Sequence, residues 1–161
     1  MESWTGVPLS RQLIGTDEAT IDEKGRLLLS KKKRERLGDP FLMALGSTGC
    51  VIAYPLPVWE QMVAEIMQNP STNQARQHYT RLIIGTAEDD LKCDRQGRVV
   101  VPQKLRDAAR LVDKVVVVGC LDRLEIWAKA EWEKYESDPD GYGRERREAV
   151  DRAYRQMTGK D

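Results

Sequence analysis

One stretch of eight residues occurs twice, and it constrains the rest of the chain. Asp22-Glu23-Lys24-Gly25-Arg26-Leu27-Leu28-Leu29 returns as Asp94-Arg95-Gln96-Gly97-Arg98-Val99-Val100-Val101. Each copy reads Asp, two polar residues, Gly, Arg and three aliphatics. Asp at the first position of a four-residue turn and Gly at the last favour a type I turn. The carboxylate accepts a bond from the backbone two residues on, and Gly tolerates the left-handed exit. The pattern therefore predicts a rigid turn holding Arg26 and Arg98 at the mouth of a strand.

The repetition extends beyond the turn. Ile14-Gly15-Thr16 matches Ile84-Gly85-Thr86, Gly46 matches Gly119, and Val51-Ile52-Ala53-Tyr54 matches Leu124-Glu125-Ile126-Trp127. Trp59 matches Trp132, and the offset drifts from 70 to 73 residues. Two copies are too few for a solenoid, so they predict two halves of one pseudo-symmetric domain. A chain of 161 residues is large enough for a single core.

Each half reads strand, turn, strand, short helix, strand, strand, helix. In the first half, strands are predicted over 16–21 and at Leu27–Leu29. Ser30 then caps a basic helix, Lys31 to Leu37, closed by Gly38. Leu27–Leu29 is apolar at successive positions, which predicts burial on both faces. Strands follow at Phe41–Leu45 and Val51–Tyr54. In the second half, Pro102 opens the equivalent short helix, with Leu105, Ala108 and Ala109 on its apolar face. Lys33 stands where Leu105 does, so the first helix has the weaker apolar face. Two further helices connect the halves, one opened by Pro57 and one capped within Ser71-Thr72-Asn73. The reading divides the chain into a leader (1–13), a first repeat (14–69), a connecting helix (70–83), a second repeat (84–136) and a charged tail (137–161). The leader is expected to be loose unless Trp4 docks. The tail carries a thin stripe (Ala149, Val150, Ala153, Tyr154, Met157) that predicts a docking helix. Short strands leave open edges if each half folds alone, so the halves are expected to complete one another's sheet.

Lys and Arg number 26 and so do Asp and Glu, which argues against a globally basic coat for nucleic acid. Binding of that kind requires a local patch, multiplied by oligomerisation. Cys50, Cys93 and Cys120 lack metal-type spacing and are expected to be small buried thiols in a reducing compartment. No long apolar run opens the chain, so neither a signal peptide nor a membrane span is expected there. His78 is the single histidine, which removes Ser–His–Asp catalysis, and no nucleophile–base pair is discernible. Glu88, Asp89 and Asp90 alternate along a strand and converge poorly on a metal. Trp59, Trp127 and Trp132 are expected in the core or a subunit contact.

The paired D-x-x-x-R signatures, Asp22…Arg26 and Asp94…Arg98, resemble the MraZ family, relatives of the AbrB-type transcription factors. The likeness continues through Val101, Pro102, Leu105 and Arg106, then Val117-Val118-Gly119, Arg123, Glu125, Ile126, Trp127 and Trp132. It covers roughly residues 14–136. The chain departs from the pattern in its leader and tail, in Ser30 opposite Pro102, and at Lys33. The resemblance implies an α+β fold, a swapped-hairpin AbrB-like β-barrel built from two tandem repeats with short flanking helices. It further implies a cytoplasmic, nucleoid-associated regulator without cofactor or small-molecule substrate. Such a protein forms a ring-like homo-oligomer on repeated boxes of double-stranded promoter DNA in the division and cell-wall gene cluster. The rival reading is a protein-interaction scaffold on the same fold with DNA binding lost.

For Arg26 and Arg98, two readings stand side by side. Each guanidinium folds back on its turn carboxylate, Asp22 or Asp94, and stiffens the hairpin. Alternatively, it forks onto a guanine edge or a phosphate; the resemblance favours DNA. The run Lys31, Lys32, Lys33, Arg34, Arg36 follows the strand carrying Arg26 and is expected to hold phosphates beside that Arg. Lys24 and Arg95 in the turns are candidates for the same role, with Lys104, Arg106 and Arg110 a thinner counterpart. Arg34 and Arg106 occupy matching positions and could equally tie their helices to the barrel.

Overall fold

The structure is a computed structural model and describes residues 6–160. Trp4 lies outside the described residues. The strands are β1 (Thr16–Thr20), β2 (Arg26–Leu28), β3 (Phe41–Leu45), β4 (Val51–Pro55), β5 (Glu88–Leu91), β6 (Arg98–Val100), β7 (Lys114–Gly119) and β8 (Leu124–Ala128). The helices are α1 (Lys31–Leu37), α2 (Leu56–Met67), α3 (Gln74–Leu82), α4 (Gln103–Ala108), α5 (Lys129–Ser137) and α6 (Arg144–Thr158).

Six strands form an antiparallel sheet in the order β1-β7-β8-β4-β3-β5, and β2 pairs with β6 in a separate antiparallel ribbon. Exchanging β1 with β5, β2 with β6, β3 with β7 and β4 with β8 reproduces every one of these pairings. The first strand of each half thus pairs with the third strand of the other: β1 with β7 and β5 with β3. Neither half completes its sheet alone, which answers the edge problem set by such short strands.

A closed barrel was expected and is not formed. β1 and β5 terminate the six-stranded sheet, and an isolated bridge, Ile21 to Leu27, links β1 to β2. The reason is local. Beyond Thr20 the Ile21 amide still bonds across to the Asp113 carbonyl at 2.8 Å, so β1 spends its ladder on the β7 side. The three-residue β2 and β6 turn to each other instead.

The sheet is covered on both faces. Leu27, Val99, Leu29 and Val101 from the ribbon region pack with Met43 and Ile126 in one core cluster. On the other face Tyr54, Val116 and Trp127 pack with Trp59, Trp132 and Tyr135 of the flanking helices. The central strands therefore read as nearly continuous aliphatics. α2 buries Ile66, whereas its last residue, Met67, is 63% exposed. Ala108, expected inside with Leu105 and Ala109, is also exposed.

The leader is more ordered than expected over its last residues. Leu13 is fully buried and exchanges two backbone bonds of 2.7 Å with Leu121, and Arg36 donates to the Gln12 carbonyl at 2.7 Å. The tail docks as expected. α6 buries Val150, Ala153 and Met157. Arg146 donates to the carbonyls of Gly46, Leu45 and Leu82 at 2.8, 3.1 and 2.7 Å, a clamp that the stripe alone did not reveal. No helix among the described residues is long and apolar enough to cross a membrane.

Candidate nucleic-acid interface

Both turns form with the bonds their sequence implies. In the first, the Gly25 amide donates to the Asp22 carbonyl at 2.9 Å, and the amides of Lys24 and Arg26 donate to Asp22 Oδ1 at 3.0 and 2.9 Å. In the second, Gly97 donates to the Asp94 carbonyl at 3.0 Å, and Gln96 and Arg98 donate to Asp94 Oδ1, both at 2.9 Å. Gly25 and Gly97 sit at φ of +81° and +84°, where a side chain is strained. The bond from the Arg26 backbone amide, above all, holds the Asp22 carboxyl below its ordinary range, and the Arg98 amide does the same for Asp94.

Arg26 Nε meets Asp22 Oδ2 at 2.6 Å, and Arg98 Nε meets Asp94 Oδ2 at 3.2 Å. Arg98 also donates from Nη2 to Gln96 Oε1. The side chains are 33% and 31% exposed, so neither guanidinium is sealed inside. The fold-back reading is what the structure shows: the carboxylate takes the Nε side and leaves an edge toward solvent.

The ribbon places these two arginines on one surface. Its register pairs Arg26 with Val100, Leu27 with Val99, and Leu28 with Arg98. Leu27 and Val99 point inward and are buried. By strand alternation, Arg26, Leu28, Arg98 and Val100 share the outward face. Burial of the aliphatic triplets on both faces was expected and does not occur: Leu28 is 57% exposed and Val100 is 52% exposed. The ribbon is a single layer here, with core beneath it and nothing above among the described residues. Arginines occupy one diagonal of this patch and aliphatics the other.

Arg34 and Arg106 serve the fold across the pseudo-dyad. Arg34 Nε donates to the Leu29 carbonyl at 3.1 Å, and Arg106 Nε to the Val101 carbonyl at 2.9 Å. A Cβ on Gly97 would fall 2.6 Å from Arg34 Cζ, and one on Gly25 would fall 2.5 Å from Arg106 Cζ. Each short helix therefore lays its arginine over the turn of the other repeat. Two backbone bonds run the same way, Leu29 amide to Gly97 carbonyl at 3.1 Å and Val101 amide to Gly25 carbonyl at 2.8 Å. This moves the basic helix. Lys31 and Lys32 were expected beside Arg26, but strand exchange sets α1 against the turn of Arg95 and Arg98. Lys24 and Lys104 stand at the opposite end.

Lys31, Lys32, Lys24, Arg95 and Lys104 are exposed. Lys33 is not: it is 6% exposed and ion-pairs with Asp17 of β1. Sequence reasoning identified the odd residue at that position but not its partner, 16 residues away on the edge strand. Of the cysteines, Cys50 is buried and Cys93 and Cys120 are half-buried. Burial pushes the Cys120 thiol up to about 11, and raises those of Cys50 and Cys93. Trp127 is buried, with the rings of Trp132, Tyr135 and Tyr142 at 5.3, 5.1 and 5.6 Å, so it is a core residue. Among the described residues, no cluster of three His, Cys, Asp or Glu could hold a metal ion.

A family model described as "MraZ protein, putative antitoxin-like" matches residues 13–82 and again 84–151. Among curated proteins, the chain is 38% identical over 122 residues to a protein of Pelotomaculum thermopropionicum, covering 76% of this chain and 83% of that one. It is 35% identical over 128 residues to one from a Thermoanaerobacter species, covering 80% and 89%. A Moorella thermoacetica protein is 38% identical over 122 residues, covering 76% and 85%. All three bear the name transcriptional regulator MraZ.

Proposed function

Because the chain belongs to the MraZ family, we propose that it is a sequence-specific DNA-binding transcriptional regulator, not an enzyme, whose β2–β6 ribbon is the reading head. The observation that carries this reading is the outward face of Arg26, Leu28, Arg98 and Val100 on a two-stranded ribbon. The major groove of B-DNA admits such a ribbon. A guanidinium held on one side by a carboxylate offers its remaining donors to guanine O6 and N7, worth about 1–3 kcal/mol of discrimination per bidentate contact. Leu28 and Val100 are the apolar complement, suited to thymine methyl groups. Lys24, Lys31, Lys32, Arg95 and Lys104 flank the ribbon and neutralise phosphates, while Asp22 and Asp94 orient the arginines. Arg34 and Arg106 hold the two turns in register. The exchange of first strands between repeats is, in this account, the swapped-hairpin arrangement laid out as a sheet and a ribbon.

One protomer offers a small basic surface within a chain of zero net charge. Tight binding then comes from a ring-like homo-oligomer on repeated promoter boxes, through effective concentration. We place the protein at the nucleoid of the cytoplasm, acting on the division and cell-wall gene cluster. The test is a gel shift of the wild-type protein on the DNA upstream of its own gene. Retardation that weakens steeply between low and moderate salt is expected, since each phosphate contact contributes about −0.9 to the slope of log affinity on log salt. No retardation of any fragment would favour the protein-interaction scaffold, whose motive is the balanced charge of the chain.

A further inference from the structure

We infer that the binding energy for DNA is concentrated at one end of the ribbon, in a composite phosphate site made by the helix of the first repeat and the turn of the second. This rests on the DNA-binding reading above. Strand exchange sets α1 against the 94–97 turn, through the Leu29–Gly97 backbone bond and the Arg34 guanidinium over Gly97. With Lys33 paired to Asp17 and Arg36 bonded to the Gln12 carbonyl, the helix and turn leave Lys31, Lys32, Arg34, Arg95 and Arg98, with two carboxylates, Glu35 and Asp94. The other end joins α4 to the first turn. With Arg110 paired to Glu131 at 3.2 Å, it leaves four cations, Lys24, Arg26, Lys104 and Arg106, with three carboxylates, Asp22, Glu23 and Asp107.

The imbalance arises at matched positions. Lys31 faces Gln103 across the pseudo-dyad and Arg95 faces Glu23, partly offset by Lys24 against Gln96. The carboxylate nearest the strong end holds little back. Glu35 lies 3.9 Å from Lys31 with both side chains mostly exposed, so water screens the pair. At the weak end Glu23 is exposed in the turn beside Lys24 and repels an approaching phosphate. A duplex seated with Arg26 and Arg98 at base edges thus meets a strongly basic shoulder at one end and a weakly basic one at the other. Backbone contacts position a protein on DNA, so the stronger shoulder sets the orientation of the protomer on its box.

Two variants remove the same formal charge from opposite ends: K31A/K32A and K24A/K104A. Both alter exposed side chains, and melting temperature verifies the fold. The probe is a duplex recovered by the wild-type protein from a randomised pool, followed by titration and hydroxyl-radical footprinting. Loss of two phosphate contacts lowers affinity by about 30-fold near 0.15 M salt and the salt slope by about 2, which is expected for K31A/K32A. K24A/K104A is expected to lose less than about fivefold and less than about 1 in slope. Protection is expected to fade at one end of the footprint for the first variant and at the opposite end for the second. A wild-type footprint with equal losses for the two variants, or with protection fading at both ends together, overturns the composite site alone. A wild-type protein that selects no duplex overturns both this inference and the functional reading beneath it.

Discussion

The helices α1 and α4 occupy the same place in their repeats and both reach the core, yet at one matched position they bury different residue types. Both lay an arginine over the opposing turn, and both bury the residue one position before it. In α4 that residue is Leu105, 2% exposed in the aliphatic cluster; in α1 it is Lys33, 6% exposed and paired with Asp17. The comparison shows which contacts the pseudo-symmetry requires. Arginine on glycine is kept in both copies because it closes the ribbon. The buried side chain beside it varies because the edge of β1 supplies a carboxylate where the other copy supplies hydrophobic contact.

The sharpest way to break this comparison is to truncate both helices at the matched site. Leu105→Ala is expected to cost about 2–5 kcal/mol, the usual range for emptying a packed site, as chemical denaturation would report. Lys33→Ala should cost less, because its partner Asp17 is 52% exposed and remains hydrated. Equal losses would mean that the lysine stem, not the ion pair, fills the site. Gly25→Ala and Gly97→Ala sharpen the comparison from the conserved side. Each places a Cβ in the left-handed region at about 1–2 kcal/mol, and each displaces a guanidinium. The two losses should agree to within about 0.5 kcal/mol if the pseudo-dyad is energetically real. Lys33→Leu with Asp17→Asn is expected to be neutral or to stabilise by about 1 kcal/mol, since an aliphatic chain replaces a buried ammonium while the half-exposed Asn stays hydrated. A large loss would show that α1 needs the ion pair to stay in register.

The smallest effect is on pH. Asp22 and Asp94 have carboxyls lowered from an ordinary value of 3.8, first through the backbone amides of Arg26 and Arg98. A lowered folded value means that their contribution is fully present above 3.8 and is lost as pH falls below it. Thermal melts between pH 5 and about 2.5 should show this shallow decline, and Asp22→Asn with Asp94→Asn should flatten it. An unchanged slope in that variant would remove the turn carboxylates from the account.

Much of the site was legible because its determinants are local. A turn needs Asp and Gly at set positions, and the helix caps at Ser30 and Asn73 formed through their side-chain oxygens as expected. What escaped the sequence was relational. The repeat implied two like halves that complete one another's sheet, but not that β2 would pair with β6 and carry the Leu29 amide to the Gly97 carbonyl, which sets α1 beside the second turn. Leu28 and Val100 looked buried because three consecutive aliphatics read as a two-sided strand. Nothing in their residue types records that the ribbon has one covered face. Lys33 was visible as an anomaly, whereas its partner depended on strand order.

In the proposed function, Arg26 and Arg98 read base edges from the outward face of the ribbon. Replacing both with lysine keeps the charge and removes the planar fork. Competitive titration of the R26K/R98K protein against a selected box and a scrambled duplex, at one salt concentration, tests this most directly. Discrimination between the two duplexes is expected to fall by at least about tenfold while affinity for the scrambled duplex stays within about twofold of wild type. Undiminished preference for the selected box would contradict that reading.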